Sequence, residues 1–568
     1  MARWHYFAAL MLALPLAGAP AGSVLEPGPE GIPAWAQQGK FRFTRLDGGP
    51  IEIKKTSRSA WGMHFTDAQK EVLGNLYTRY ADRVVDLLEQ AHINYVWLTF
   101  SVGYSWEDEA EQRDQCRRLV ARLHQRGIRA AAYTCSVSVF WESLFRDEPR
   151  AVRWITFDPH GVPYRYSGGR DPLRFIADVS NPEWVELQKR RVGAAIDAGF
   201  DSLFFDNTAA AAWASDEATD AFIGKIRRYI HEERRSNLLL FTNYGLTPTR
   251  ALLNRNMDWV FAEGWREPGV WDGNWNVSNI RRTKYLRGIV PEWKPLTTEY
   301  SIFHEGNRAT AWLAPRSQKL ATAEAAAFQS DYSWDMEGPF DAALMAKDPA
   351  AMASWNAIGE YGRFLREHED FYVGARRVSP IAVVAPGTGI SFTWDREESG
   401  LIEALARRSV LFDVRQPGAL DDEQLRAYRA VVVGTGMEMP PALGRYQERG
   451  GKVYTAARGD ARTVEEIAAL AAGAPALAVE GAPYVLGNVT RLGNALAVHL
   501  LNYAPAAVSG VRVRLNVGRE FAALAGAEPR LYTPDSATGG LAGVRRNGSA
   551  VEFTLGRLDT YGVVVLKP

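Results

Sequence analysis

From about residue 59 to residue 376, short apolar runs alternate with longer amphipathic segments. Short apolar runs are typical of buried parallel strands, and apolar residues spaced three and four apart are typical of the helices that cover them. Eight such strand–helix units predict a (β/α)8 TIM barrel. The predicted strands are 60–65, 93–100, 128–134, 200–206, 238–242, 258–262, 296–298 and 325–329.

The pattern changes twice after the barrel. Between residues 377 and 475, apolar runs again alternate with amphipathic segments, but over a shorter stretch, which predicts a flavodoxin-like α/β domain with a small parallel sheet. Between residues 476 and 568, short runs lie between Gly, Asn and Pro turns, and 511–515 alternates apolar and charged residues. That period of two predicts a small antiparallel β-sandwich at the C-terminus.

The N-terminus has the pattern of a secretory signal. One early positive charge precedes an apolar run at 6–19, which is too short and too interrupted by proline to predict a membrane span. We predict a signal peptide at 1–21, with cleavage as late as residue 36 or an uncleaved anchor as alternatives. Residues 22–58 are rich in Pro and Gly and are predicted to be an irregular lead-in. The expected location is secreted or periplasmic, with no membrane span after cleavage.

Composition narrows the choice of partners. The chain has 66 basic and 66 acidic residues, so no overall field favours nucleic acid. Its nine histidines show no metal-ligand spacing, and we expect no metal and no cofactor. Cys116 and Cys135 are predicted to be buried, unbridged thiols, with a disulfide as the alternative. The 18 Trp, 22 Tyr and 24 Phe suit stacking on sugars, although most are expected in the core.

Four carboxylates stand at or just after predicted strand ends, where the chemistry of a barrel enzyme lies. Glycoside hydrolysis needs one carboxylate as nucleophile or base and a second carboxyl group with a raised pKa as proton donor. We predict Asp206 as nucleophile or base and Glu263 as general acid/base, with Glu299 and Asp331 as secondary candidates. For each of them, capping the next helix or pairing with an arginine is the alternative.

Polar and aromatic side chains near the same strand ends are predicted to line a substrate pocket. Aromatic rings would wall a sugar subsite, and amides would bind sugar hydroxyls. The alternatives are asparagines that fix loops and a histidine in the core. The predicted substrate-binding residues are His64, Tyr133, Asn207, Asn243, Tyr244, Trp265 and Tyr300.

The order of barrel, flavodoxin-like domain and β-sandwich resembles the three-domain layout of family 42 β-galactosidases, whose middle domain is called the trimerisation domain. The segments WITFD at 154–158, DVSNPEW at 178–184 and LAVHLLNY at 496–503 are similar to those of secreted bacterial glycosidases. The layout implies a structural or oligomeric role for the middle domain, and thus a homo-oligomer. The chain departs from that family, which uses two glutamates on the fourth and seventh strands, because its fourth strand ends in Asp206.

The pattern Gly-Phe-Asp-x-x-Phe-Phe-Asp at 199–206 is instead similar to endo-α-1,4-galactosaminidase-like barrels and to the α-galactosidase clan. Those families place an aspartate on the fourth strand and an acid residue on the sixth. The galactosaminidase-like barrels use a glutamate there, which Glu263 matches. The resemblance implies a glycosidase that retains configuration, but it implies no particular sugar.

These observations predict a glycoside hydrolase that cleaves O-glycosidic bonds in an oligo- or polysaccharide. A catalytically inactive carbohydrate-binding barrel is the first alternative, and it would show affinity without turnover. A metal-dependent barrel hydrolase is the second, and it would need a cluster of His and Asp ligands.

Overall fold

The computed structural model describes most of the chain after residue 39. The described residues are 33, 35–36, 40–58, 65–165, 174–208, 214–243, 256–271, 273–290, 294–300, 312–336, 338–385, 397–417, 420–456, 459–536 and 538–568. The predicted signal peptide at 1–21 lies outside them. Among the described residues, no helix is long and apolar enough to cross a membrane.

Eight parallel strands close into a barrel, which confirms the predicted (β/α)8 fold. Each strand pairs with its neighbours in chain order, and the first pairs with the eighth. The barrel strands are Arg42–Leu46, Tyr95–Ser101, Arg129–Cys135, Ser202–Asp206, Leu239–Asn243, Trp259–Trp265, Leu296–Tyr300 and Asp331–Met336.

The first barrel strand lies earlier than the pattern predicts. Of the predicted strand at 60–65, residues 60–64 lie outside the described residues and Phe65 is in no strand. Arg42–Leu46 pairs with both the second and the eighth strand, so part of the predicted irregular lead-in belongs to the barrel. Arginines at positions 42 and 45 break the apolar run by which a buried strand is recognised.

The prediction of the eighth strand at 325–329 is wrong. Residues 325–327 end the helix Pro315–Ala327, whose alanine-rich sequence has high helix propensity. Gln329 follows with a left-handed φ of 64°, and the strand begins only at Asp331. Asp331 therefore opens the eighth strand instead of following it.

Helices cover the outside of the barrel. Pro182–Asp197, for example, begins with proline at its first position, and the side chain of Asn181 caps it by accepting from the backbone N–H groups of Glu183 and Trp184. The helices of the barrel region are Pro50–Arg58, Asp67–Gly74, Ala81–Gln90, Ala110–Gln125, Trp141–Asp147, Pro182–Asp197, Asp216–Arg228, Ser278–Ile289, Pro315–Ala327, Pro339–Ala346 and Pro349–Glu367.

Aromatic side chains fill the barrel interior beneath its carboxyl-terminal end. Phe41 and Trp259 stack with their ring centroids 4.2 Å apart, and the rings of Trp97 and Phe204 are 4.4 Å apart. The interior rings are Phe41, Phe43, Tyr95, Trp97, Tyr133, Phe204, Phe241, Trp259 and Phe261. The barrel is thus a packed core, and polar groups are left for the ends of its strands.

Two smaller units follow the barrel. A four-stranded parallel sheet has the order 2-1-3-4 of flavodoxin-like folds. Two antiparallel sheets, of five and four strands, then pack face to face on an apolar core as a β-sandwich. The parallel strands are Ile381–Val384, Phe412–Arg415, Ala430–Gly434 and Lys452–Ala456, and their helices are Glu397–Arg407, Asp422–Leu425, Pro441–Glu448 and Ala461–Leu470. The sandwich strands are Arg376–Arg377, Ala476–Glu480, Val485–Leu492, Ala495–Asn502, Val508–Asn516, Arg530–Tyr532, Leu541–Asn547, Ala550–Leu558 and Tyr561–Leu566.

Candidate active site

One amide joins the two carboxyl groups that the sequence singles out. Asn243, the last residue of the fifth strand, donates from Nδ2 to Asp206 Oδ1 at 2.7 Å and to Glu263 Oε1 at 2.8 Å. Because one nitrogen serves both, these two oxygens lie no farther apart than the sum of the distances, about 5.5 Å. The carboxyl ends of the fourth, fifth and sixth strands thereby bring Asp206, Asn243 and Glu263 together.

Three hydroxyl and amide donors fix the carboxylate of Asp206. Besides Asn243, the hydroxyl of Tyr133 donates to Oδ2, and so does Asn207 Nδ2 at 2.6 Å. Asn207 holds a left-handed φ of 63°, which asparagine tolerates better than most residues, and its backbone N–H donates to Asn243 Oδ1 at 3.1 Å. Tyr133, Asn207 and Asn243 therefore contact the candidate nucleophile directly, and their predicted contacts with sugar stay a prediction.

Glu263 has the electrostatics of a proton donor. Burial, followed by the negative charges of Asp206 and Glu299, raises the pKa of Glu263 to about 8. The hydrogen bond from Asn243 and the positive charge of Arg45 act in the opposite direction and are weaker. Glu263 is therefore protonated at neutral pH, whereas an ordinary glutamate is ionised.

Glu299 stands one strand further round, in an ion pair with an arginine, which is the alternative that its position at a strand end left open. Arg45 Nη1 lies 2.7 Å from Glu299 Oε1, and Arg45 Nη2 lies 2.9 Å from Asp47 Oδ2. The guanidinium also lies over the ring of Trp97, 4.8 Å from its centroid. Glu299 is only 1% exposed, and within the described part of the chain its Oε2 has no hydrogen-bond partner.

Arg45 and Asp47 escaped the sequence analysis because they lie in and directly after the first strand, within a segment predicted to be irregular. The pattern Arg45-Leu46-Asp47 contains a signal, namely two opposite charges flanking a buried leucine. This pattern indicates a site at the end of a barrel strand only when Arg42–Leu46 is already known to be the first strand. The structure also shows irregular pairing between the sixth and seventh strands around Glu299, a feature that recurs beside active sites.

The expectation that Asp331 lies at the same rim is wrong. Asp331 pairs in register with Thr297, two residues before Glu299, so it lies toward the amino-terminal end of the barrel. There it forms an ion pair with Lys40 at 2.7 Å and accepts from the backbone N–H of Phe41 at 3.2 Å. These contacts give Asp331 a structural role.

The remaining predicted residues are described only in part or not at all. His64 and Tyr244 lie outside the described residues. Trp265 and Tyr300 are the last residues of the sixth and seventh strands, and their backbones pair with each other. Their side chains are not among the described parts of the structure. In the described ranges, no group of three or more His, Cys, Asp or Glu side chains is placed to hold a metal ion. Cys116 and Cys135 are both buried, and no disulfide joins them, as predicted.

Comparison with known proteins bears on the fold. No protein-family model and no curated protein sequence matches the chain. It is similar to the α-L-fucosidase isoenzyme 2 of Paenibacillus thiaminolyticus, with a TM-score of 0.67 and 13% identity, over 93% of this chain and 99% of that one. A β-galactosidase from Rahnella sp. R3 has a TM-score of 0.61 and 11% identity, with coverages of 94% and 98%.

A GH42 β-galactosidase from G. stearothermophilus, solved as a catalytic mutant, has a TM-score of 0.59 and 11% identity, covering 88% of this chain and 97% of that one. At such low identities the likeness shows the fold alone. It confirms the fold that the resemblance to family 42 β-galactosidases implied, and it extends over nearly the whole chain rather than the barrel only.

Proposed function

We propose that the protein is a glycoside hydrolase that cleaves O-glycosidic bonds in an oligo- or polysaccharide. The observation that carries this proposal is the bridge through Asn243, which holds the carboxylate of Asp206 beside the protonated carboxyl group of Glu263. Glycoside hydrolysis requires two adjacent carboxyl groups, one of which is a proton donor with a raised pKa. The structural neighbours, which include an α-L-fucosidase and β-galactosidases, support it as carriers of the same fold.

In the proposed reaction, Asp206 attacks the anomeric carbon while Glu263 gives its proton to the departing glycosidic oxygen. The bond to that oxygen breaks, and an ester between the sugar and Asp206 forms. Glu263, now ionised, takes a proton from water, whose oxygen then displaces Asp206 from the anomeric carbon. Two displacements leave the configuration retained and return both carboxyl groups to their starting state.

The distance between the carboxyl groups favours retention. Retaining enzymes hold their two carboxyl groups about 5–5.5 Å apart, whereas inverting enzymes need about 6.5–9.5 Å to admit a water molecule. The nearest oxygens of Asp206 and Glu263 lie within about 5.5 Å of each other, because both accept from the same nitrogen. This bound on the nearest oxygens agrees better with the retaining spacing than with the inverting one.

Glu299 and Arg45 serve this pair without taking part in bond making. Their ion pair keeps a negative charge near Glu263, and that charge contributes to holding the proton on Glu263.

Export through the signal at 1–21 and assembly through the middle unit belong to the same proposal. Amino-terminal sequencing of protein recovered outside the cytoplasm and light scattering would test these two points.

The proposal is tested by screening the purified protein against a glycan panel together with Asp206→Asn. We expect one substrate class to be hydrolysed with retention, as read by NMR of the first product formed. Asp206→Asn should lower turnover by on the order of 10⁴-fold, because the nucleophile is lost. Asp158→Asn, whose Oδ1 accepts only from backbone N–H groups of its own turn among the described contacts, is the matched control and should keep full turnover.

Two results would contradict the proposal. Unchanged turnover in Asp206→Asn would place the catalytic residues elsewhere. Tight binding of a glycan by the wild-type protein, without any product, would instead identify a carbohydrate-binding protein.

A further inference from the structure

A cleft of about 540 Å³ lies between the flavodoxin-like unit and the β-sandwich. Residues 379–380 and 426–429, which immediately precede two strands of the parallel sheet, line one side. Residues 491 and 519–521 of the sandwich line the other. A volume of this size is typical of ligand sites.

Positive charge dominates the walls of this cleft. Two carboxylates, Asp413 and Glu520, face seven arginines. The arginines are Arg376, Arg377, Arg415, Arg426, Arg429, Arg491 and Arg519. The chain as a whole has no net charge, so the excess of arginine is a local property of this cleft.

Three of the arginines form ion pairs within the cleft itself, two of them with the same aspartate. Arg377 and Arg415 each lie 3.4 Å from Asp413, and Arg491 lies 3.0 Å from Glu520. The remaining four are Arg376, Arg426, Arg429 and Arg519, which are exposed and have no carboxylate within ion-pair distance among the described residues. Walls of one sign around a concave surface concentrate the electric field and attract the opposite charge.

The ion-paired arginines form a fixed floor. Arg415 Nε donates to the hydroxyl of Tyr428 at 2.7 Å, and that hydroxyl donates to Asp413 Oδ2 at 3.0 Å. Arg377 Nη1 donates to the carbonyl oxygen of Arg287, near the end of the barrel helix Ser278–Ile289. The cleft is therefore anchored beside the amino-terminal end of the seventh barrel strand, away from the strand ends that carry Asp206 and Glu263.

We propose that this arginine cleft binds an acidic polysaccharide through its carboxylate or sulfate groups. Guanidinium groups pair with such oxyanions through two parallel hydrogen bonds, and four of them are available on the rim. Tyr428 and Phe521, the aromatic residues of the described lining, are buried, so this lining offers no exposed ring for stacking on a neutral sugar. The same feature disfavours single-stranded nucleic acid, which binds through stacked bases as well as charge.

The choice of a polysaccharide, among the possible polyanions, rests on the proposed function. The predicted affinity of the cleft for anions rests only on its arginines. On this proposal, a remote cleft would hold an acidic polymer while the barrel acts on it. The two ideas are therefore separable, because the cleft can be measured by binding and the barrel by turnover.

The test is affinity electrophoresis of the full chain in gels that contain polygalacturonate, dextran sulfate or neutral dextran. We expect at least one of the two charged polymers to retard the protein, neutral dextran to have no effect, and added salt to weaken the retardation. Arg429→Ala/Arg519→Ala should weaken binding by roughly tenfold or more, because two charge-assisted contacts are lost. Arg512→Ala/Arg514→Ala removes two exposed arginines from another face of the sandwich and should leave binding unchanged.

Equal losses in the two double variants would show non-specific attraction and overturn the proposal, as would no retardation of the wild-type protein. Tighter binding of a single-stranded oligonucleotide, or of inorganic pyrophosphate alone, would also overturn it in favour of another ligand. Asp206→Asn must keep the affinity for the polymer. Arg429→Ala/Arg519→Ala must keep hydrolysis of a short uncharged substrate and an unchanged melting temperature. Failure of the cleft thus differs from failure of the active site.

Discussion

The two ends of the barrel use the same residue type in opposite ways. At the carboxyl-terminal end, Asp206, Glu263 and Glu299 lie close together, and Arg45 pairs with Glu299 and lowers the pKa of Glu263. At the amino-terminal end, Asp331 has Lys40 at 2.7 Å. Carboxylates outnumber cations at one end and match them at the other.

This difference distinguishes carboxyl groups that can act in catalysis from carboxylates that stabilise the fold. A carboxylate that is paired with a lysine and bonded to the backbone is satisfied, and it contributes to stability. Carboxylates that crowd around too few cations cannot all ionise, and one of them keeps its proton at neutral pH. The excess of carboxylates over cations at the carboxyl-terminal end is thus the physical reason that Glu263 holds a proton in the proposed reaction. Substitutions at each end of the barrel test this comparison.

Among the changes that test this comparison of the two ends, removing the acid has the largest expected effect. Glu263→Gln cannot donate a proton, so kcat/KM on a natural glycoside should fall by about 10²- to 10⁴-fold. The loss should shrink for nitrophenyl glycosides, since their leaving groups depart without protonation. Steady-state kinetics on both kinds of substrate measures this difference. An equal loss on both would contradict the role of Glu263 as an acid.

Asp331→Ala tests the other end of the barrel. It leaves Lys40 buried without its partner, which should lower the free energy of unfolding by about 3 kcal/mol. Turnover by the remaining folded protein should be unchanged, because Asp331 lies toward the end opposite the site. Urea unfolding measures the first effect and kinetics the second.

The double variant Lys40→Met/Asp331→Leu is the control for this experiment. It removes both charges, so it should recover part of the lost stability. A loss of turnover in folded Asp331→Ala would contradict the structural role given to this residue.

The sequence identified the site best where a strand is apolar throughout. Phe204 and Phe205 lead directly to Asp206, and Val260, Phe261 and Ala262 lead to Glu263, so both carboxylates were found at strand ends. Because the strands of a barrel lie in chain order, Asn243 at the end of the fifth strand is expected between Asp206 and Glu263. No local pattern announces the shared hydrogen bonds, however, or the burial that raises the pKa of Glu263.

The first and eighth strands show why the rest was missed. Arg42–Leu46 carries charges because its arginines find partners elsewhere in the fold, and Asp331–Met336 is polar yet belongs to the barrel wall. The apolar run at 325–329 instead suggested a strand, although its alanines continue a helix of high helix propensity. Partners distant in the chain decide such strands, and a local pattern contains no information about them.

The smallest expected effect is a shift in pH dependence caused by Glu299→Gln. Activity should fall above the pKa of Glu263, because the acid must hold its proton when substrate binds. Glu299 raises that pKa, so removing its charge should move the basic limb of kcat/KM to lower pH, by about one unit or less. Arg45→Met is the matched opposite. Its charge lowers the pKa of Glu263, so the basic limb should move to higher pH. If both variants shifted the basic limb of kcat/KM in the same direction, structural damage and not charge would be the cause. The excess of negative charge would then not be what raises the pKa of Glu263.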